Sequence, residues 1–133
     1  MQVWLDGTLV ADTTRARRVL ETSHPPTFYL PMEDIYEHGL TVVDGSSFCE
    51  WKGAATYFDV ATTNVHVSRA AWTYLEPSDP FRDLRGHVAF YPAFVDCTVG
   101  GETVLPQPGA FYGGWVTPDV VGPFKGEPGT EYW

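Results

Sequence analysis

The sequence predicts an all-β domain, and three observations carry that prediction. Short runs rich in β-branched and aromatic residues recur along the chain, Gly and Pro punctuate them, and no amphipathic stretch of ten or more residues keeps a helical period. Such a pattern fits a β-sandwich or a partly open barrel with only minor short helices.

The elements follow in order. Gln2 to Ala11 alternates apolar and polar residues around Asp6-Gly7, a dipeptide suited to a tight hairpin turn. Arg17 to Glu21 and Thr27 to Leu30 read as the next two strands, separated by Ser23-His24-Pro25-Pro26, where two prolines remove backbone donors. Pro31 to Ile35 suits one helical turn with proline at its first position. Ala54 to Val60 and Val65 to Leu75, joined by Ala61-Thr-Thr-Asn64, form a central hairpin. Asp79-Pro80 opens a short helix that Gly86 ends. His87 to Tyr91 and Phe94 to Val99 return to strand, and Gly100-Gly101 turns the chain into a last strand around Thr103 to Leu105.

Residues 105–133 hold five prolines and six glycines, the composition of a flexible tail. They also hold Phe111, Tyr112, Trp115, Phe124, Tyr132 and Trp133. Leaving such rings in water forgoes roughly 1.5–3 kcal/mol apiece, so the segment is expected to lie as an ordered, irregular strap over one sheet face. A chain of 133 residues then makes one domain, 1–133, able to bury roughly two-thirds of its unfolded surface without disulfides or a structural metal.

Charge excludes some partners. Seventeen acidic residues against eight basic ones give a net charge of −9, which repels nucleic acid and anionic membranes. Arg15, Arg17 and Arg18 form the one basic cluster and read as a solvated edge strand. The first residues lack the basic and apolar regions of a signal peptide, and no apolar run is long enough to span a bilayer, so the cytoplasm is the expected compartment. Cys49 and Cys97 are too few for a disulfide framework and read as free thiols.

The well-marked chemistries are missing. The sequence carries no Gly-rich dinucleotide fingerprint, serine elbow or zinc-protease helix, and no cofactor is expected. Gly122-Pro-Phe-Lys-Gly126 departs from phosphate-loop spacing, and Pro123 and Pro128 delete amides that would hold phosphate. Asp59 is followed by Val60 and Ala61, without the second acid that two-metal nucleotidyl transfer needs. A zinc site would have to gather Cys49, Cys97 and some of His24, His38, His66 and His87 with no CxxC pair, so no bound metal is expected.

What remains is the stretch Phe48-Cys-Glu-Trp-Lys-Gly-Ala-Ala-Thr-Tyr-Phe58. Lys52 shares strand parity with Thr56, Phe58 and Val60, while Tyr57 and Asp59 lie opposite, unless Gly53 breaks the count with a bulge. If Phe58 and Val60 face the core, Lys52 points inward, where it needs an acid or a ligand, and its ammonium lowers the pKa of nearby Cys49. This makes Lys52 a candidate anion anchor or acid/base and Cys49 a candidate nucleophile. The competing reading is an inert buried cysteine beside a lysine whose stem is buried and whose head reaches water.

Several motifs in one order resemble the family known as domain of unknown function 427, in places given a nucleotidyltransferase-like label. They are Tyr29-Leu-Pro-Met-Glu-Asp34, Cys49-Glu-Trp-Lys-Gly53 with Tyr57, Ala71-Trp-Thr-Tyr74 leading to Pro77, and Gly86-His-Val-Ala-Phe-Tyr91, followed by Gly113-Gly-Trp-Val-Thr117 and Gly122 to Gly126. The likeness spans nearly the whole chain. It implies a compact two-sheet, tent-like β fold resembling that of the Mss4-like zinc proteins, without the metal cysteines, and no established activity. It also directs attention to Tyr29, Cys49, Lys52, Tyr57 and Tyr74. Met32 stands where the family pattern usually carries a basic residue, and Glu50 where it carries proline, which favours Glu50 or Glu33 as the partner of Lys52.

Two functions follow as expectations. One is a small-molecule site lined by Tyr29, Lys52, Tyr57 and Tyr74 with Cys49 at its edge, possessing or lacking catalysis. The other is a non-catalytic module that docks a protein partner or a second copy of itself through exposed aromatic area. A monomer and a homodimer both fit the sequence.

Overall fold

The computed structural model describes residues 1–21, 24–36, 39–49 (backbone alone from 44 to 49), 52–108, 112–120, 122, 124, 126 and 127. Twelve strands are present among them. In chain order they are β1 (Gln2–Leu5), β2 (Thr8–Asp12), β3 (Arg17–Val19), β4 (Thr27–Pro31), β5 (Leu40–Cys49) and β6 (Gly53–Ala61), then β7 (His66–Tyr74), β8 (His87–Phe90), β9 (Asp96–Val99), β10 (Glu102–Thr103), β11 (Leu105–Pro106) and β12 (Trp115–Val116). Met32–Asp34 and Asp79–Leu84 form short 3-10 helices. The protein is all-β, and its antiparallel sheets are not closed into a barrel.

Asp6 and Gly7 both adopt positive φ, 49° and 75°, and Leu5 pairs with Thr8, so β1 and β2 meet through a two-residue turn whose twist matches that of the strands. Gly100 and Gly101, at 57° and 83°, do the same between β9 and β10. With β1 paired to β9, these hairpins make a four-stranded sheet in the order β10-β9-β1-β2. The second sheet has six strands, β3-β4-β8-β7-β6-β5, all antiparallel.

The main core lies between the two sheets. Val3, Leu5, Ala11 and Cys97 from the smaller sheet meet Leu30, Phe58, Val60, Ala71, Val88 and Phe90 from the larger one. Alternation along each strand then sends Tyr29, Ala55, Trp72, Tyr74 and Ala89 to the outer face of the six-stranded sheet, where they form a second cluster with Leu84. Phe81 and Leu84 of the Asp79–Leu84 segment pack onto that outer cluster.

Two strands lie where the sequence reading placed none. β5 spans Asp44-Gly45-Ser46-Ser47, residues that signal a turn, but its register with β6 jumps between Val42 and Ser46, so the turn-like residues sit in a bulge of an edge strand. β12 lies inside the Pro/Gly-rich segment and pairs with β11. Trp115 is fully buried there, and its Nε1–H donates to the Phe90 carbonyl at 3.1 Å. Phe124 is buried as well, while Phe111, Tyr132 and Trp133 lie outside the described residues. Among the described residues, no helix is long and apolar enough to cross a membrane.

The basic cluster divides. Arg15 is not in a strand, and its guanidinium meets Glu33 at 2.9 Å and Asp34 at 3.0 Å, with Thr13 Oγ1 donating to the same Asp34 at 2.7 Å. Arg17 and Arg18 lie exposed on β3, an edge of the six-stranded sheet.

Candidate functional site

The outer face of the six-stranded sheet concentrates rings because pairing aligns them. Tyr57 stands opposite Trp72, Trp72 opposite Ala89, and Ala89 opposite Tyr29, so one row crosses four strands. Ala89 leaves room between its bulky neighbours. Tyr29 and Trp72 meet edge to face with centroids 6.1 Å apart, and Tyr29 lies 6.3 Å from Tyr74. Trp72 continues to Tyr91 at 4.5 Å and Tyr91 to Phe94 at 5.6 Å. The structure thus brings Tyr29 and Tyr74 together directly and Tyr57 to them through Trp72. Tyr29, Trp72 and Tyr74 are buried in this cluster, and Tyr57 is half-buried.

Lys52 is buried, 7% exposed, immediately before β6. Its ammonium lies 5.7 Å from the centroid of the Phe81 ring and pairs with Glu21. Since Phe81 packs on the outer cluster, the lysine head belongs to that face, although Phe58 and Val60 do face the inter-sheet core. Gly53 accounts for the reversal, because its φ of 111° breaks the strand alternation that would have put Lys52 on the inner side. The turn is pinned from below: the Ser78 N–H donates to the Lys52 carbonyl at 3.0 Å, and a Cβ on Gly53 would come within 3.1 Å of the Glu76 carbonyl oxygen.

The acid partner is a correction. Glu33, one of the two expected acids, is engaged by Arg15, and Glu50 lies outside the described residues. Glu21 takes the role just beyond β3, in a position the sequence reading treated as a strand end. Its side chain is 43% exposed, so this carboxylate stays largely in water while the lysine stem is covered. Beside this pair, a cleft of about 510 Å³ runs between β3 and the Asp79–Leu84 segment, lined by Arg17, Val19, Leu20, Phe81, Asp83 and Leu84 among others. Phe81 is thus a wall of the cleft and a platform for Lys52.

A second polar group on the same face was missed from sequence. The β6–β7 register jumps from Phe58↔Ala71 to Val60↔Val67, which sets Ser68, Arg69 and Ala70 opposite Asp59 alone. Both neighbours of β6 therefore bulge around residues 57–59. Asp59 holds the β7 bulge: its carboxylate accepts the Arg69 N–H at 2.9 Å and lies 2.6 Å from His66 Nε2. The Arg69 guanidinium sits over the Tyr57 ring at 4.3 Å, and Tyr57 shares a hydrogen bond with Tyr91. Burial, with the Tyr57 contact adding to it, pushes the Tyr91 phenol up to about 12.

The Arg69 N–H, then His66, hold the Asp59 carboxyl below its usual range. A depressed carboxyl contributes stability that is fully present above the ordinary aspartate value, about 4, and is lost as pH falls through its lower folded value. Asp59→Asn is accordingly expected to flatten part of the loss of thermal midpoint below about pH 4, leaving the shares carried by Asp34, whose carboxyl is likewise depressed by Thr13 and Arg15, and by Asp119, depressed chiefly by Thr117. Parallel melts of the two proteins across that acid range check this.

Of the two cysteines, Cys97 is 1% exposed in the inter-sheet core, with its Sγ 3.8 Å from the Val95 carbonyl oxygen, and burial pushes its thiol up. It is expected to resist iodoacetamide in the native protein and to react only on unfolding, which peptide mass mapping resolves. The Cys49 side chain lies outside the described residues. Among the described residues, no three His, Cys, Asp or Glu side chains gather as metal ligands.

A family model described as Domain of unknown function (DUF427) matches residues 1–101. No curated protein matches the chain.

Proposed function

The chain belongs to the DUF427 family, whose description names no reaction, and on that premise we propose that it binds a small anionic molecule on the outer face of its six-stranded sheet. The observation that carries this reading is the covered lysine. Lys52 is 7% exposed, rests on Phe81 and, among the described residues, is paired with the half-exposed Glu21. Covering a lysine costs free energy that a fold recovers poorly, whereas a carboxylate in water swings away readily when a ligand anion replaces it.

The cleft walled by Phe81, the ring beside the Lys52 ammonium, is where we place the body of such a molecule. Tyr29 and Tyr74 back the site, and Tyr57 stands further along the same face. Cys49, whose backbone pairs with Gly53 beside Lys52, is our candidate nucleophile for any catalysis there. The test is binding of a panel of small aromatic and aliphatic acids to the wild-type protein and to Lys52→Met, read as thermal shift, with loss of the shifts in the variant expected.

A second reading, docking of a protein or of a second copy, draws on Leu20, Leu75, Leu105 and Val42, which are all largely exposed. Light scattering across a concentration series separates it, since self-association leaves the acid panel without effect.

A further inference from the structure

We propose that Arg69, seated over Tyr57, is a second anion site on this face, taking the carboxylate or phosphate of a small ring-bearing molecule. Charge accounting points there first. Arg15 is engaged by Glu33 and Asp34, and Lys52 by Glu21. Among the described residues no carboxylate reaches ion-pair distance of the Arg69 guanidinium, because Asp59 is turned to the Arg69 backbone N–H and to His66.

The side chain is also held in place. Arg69 has a φ of 50°, a conformation a glycine would take without strain, so the bulge by itself has no need of an arginine. Asp59 secures that backbone, and the guanidinium carbon sits over the Tyr57 ring, 4.3 Å from its centroid. Stacking on a ring leaves the N–H edge of the fork open, and that edge is the part that grips an oxyanion with two parallel hydrogen bonds. Arg17, Arg18, Arg82 and Arg85 are exposed too, but among the described residues none of them sits over a ring as Arg69 does.

The ring-bearing body follows from the neighbours. Tyr91, hydrogen-bonded to Tyr57, packs against Phe94, which is 42% exposed and extends the aromatic surface away from the Tyr57 ring. Lys52 precedes β6 and Asp59 lies near its far end, so the two anion sites are separate and this inference does not rest on the Lys52 reading.

Amide NMR titration of the full chain with benzoate and with phenyl phosphate at low ionic strength tests the site, since salt would screen it. Saturable shifts are expected at Tyr57, Arg69 and Tyr91, and the probe that saturates first identifies the oxyanion. Arg69→Gln should weaken binding about tenfold or more, and Lys52→Met should leave these shifts unchanged. Arg69→Gly should lose binding while its thermal midpoint stays within about 3 °C of wild type or rises, which separates a lost site from a lost fold. Unchanged titration of Arg69→Gln, or no shifts at these residues, overturns the inference. Loss of the shifts in Lys52→Met with retention in Arg69→Gln assigns the anion to Lys52 and overturns it as well, leaving the proposed function standing.

Discussion

Replacing Trp115 by alanine is expected to destabilise the protein by about 3–5 kcal/mol and to lower its thermal midpoint by roughly 10–18 °C. Trp115 is fully buried, its ring lies 5.3 Å from Phe28, and its backbone N–H donates to the Pro26 carbonyl at 2.8 Å. Truncation opens a cavity in the core and strips the Phe90 carbonyl of the indole donor at the same time. Leu105→Ala, in the partner strand but 60% exposed, should shift stability by less than about 0.5 kcal/mol. Urea denaturation of the two variants decides whether residues 105–133 belong to the one folding unit, as we propose, although the family match ends at residue 101. An appendage would leave both variants near wild type.

Where a local signal agreed with the tertiary structure, the sequence was legible. Asp6-Gly7 and Gly100-Gly101 specify two-residue turns through the conformations they permit, and both turns are present. Val65 to Leu75 became β7 because its β-branched and aromatic residues suit a pleated, half-buried surface. Asp44-Gly45-Ser46-Ser47 carries an equally strong turn signal, but pairing with β6 overrode it by absorbing the extra residues as a bulge. No count along one strand reveals a bulge, since it arises from a mismatch with the neighbouring strand.

The same limit governs the candidate site. Tyr29, Tyr57 and Tyr74 share a face because strand parity and register put them there, and parity is readable. Lys52 reached that face through the positive φ of Gly53, which the residue type permits without requiring. Glu21 comes from 31 residues away, and Arg69 is placed by an Asp59 hydrogen bond across a bulge. Neither contact has a sequence spacing to announce it.

Lys52 separates function from scaffolding through two substitutions with opposite outcomes. Lys52→Met keeps the stem on Phe81 and removes the charge. Glu21, 43% exposed, remains hydrated after losing its partner, so stability should stay within about 1 kcal/mol of wild type or rise slightly. Lys52→Glu instead sets a second carboxylate against Glu21 at a position only 7% exposed and presents it to the electron-rich face of Phe81. A cost of about 2–4 kcal/mol is expected, which urea denaturation at neutral pH measures, and it should shrink as the pH drops and the new carboxylate is neutralised. If Lys52 is there to meet a ligand anion, Lys52→Met is a well-folded protein that no longer responds to the acids that stabilise wild type. A Lys52→Met protein that unfolds as readily as Lys52→Glu would mark the lysine as part of the scaffold, and one that binds the acids as wild type does would move the ligand elsewhere on the face.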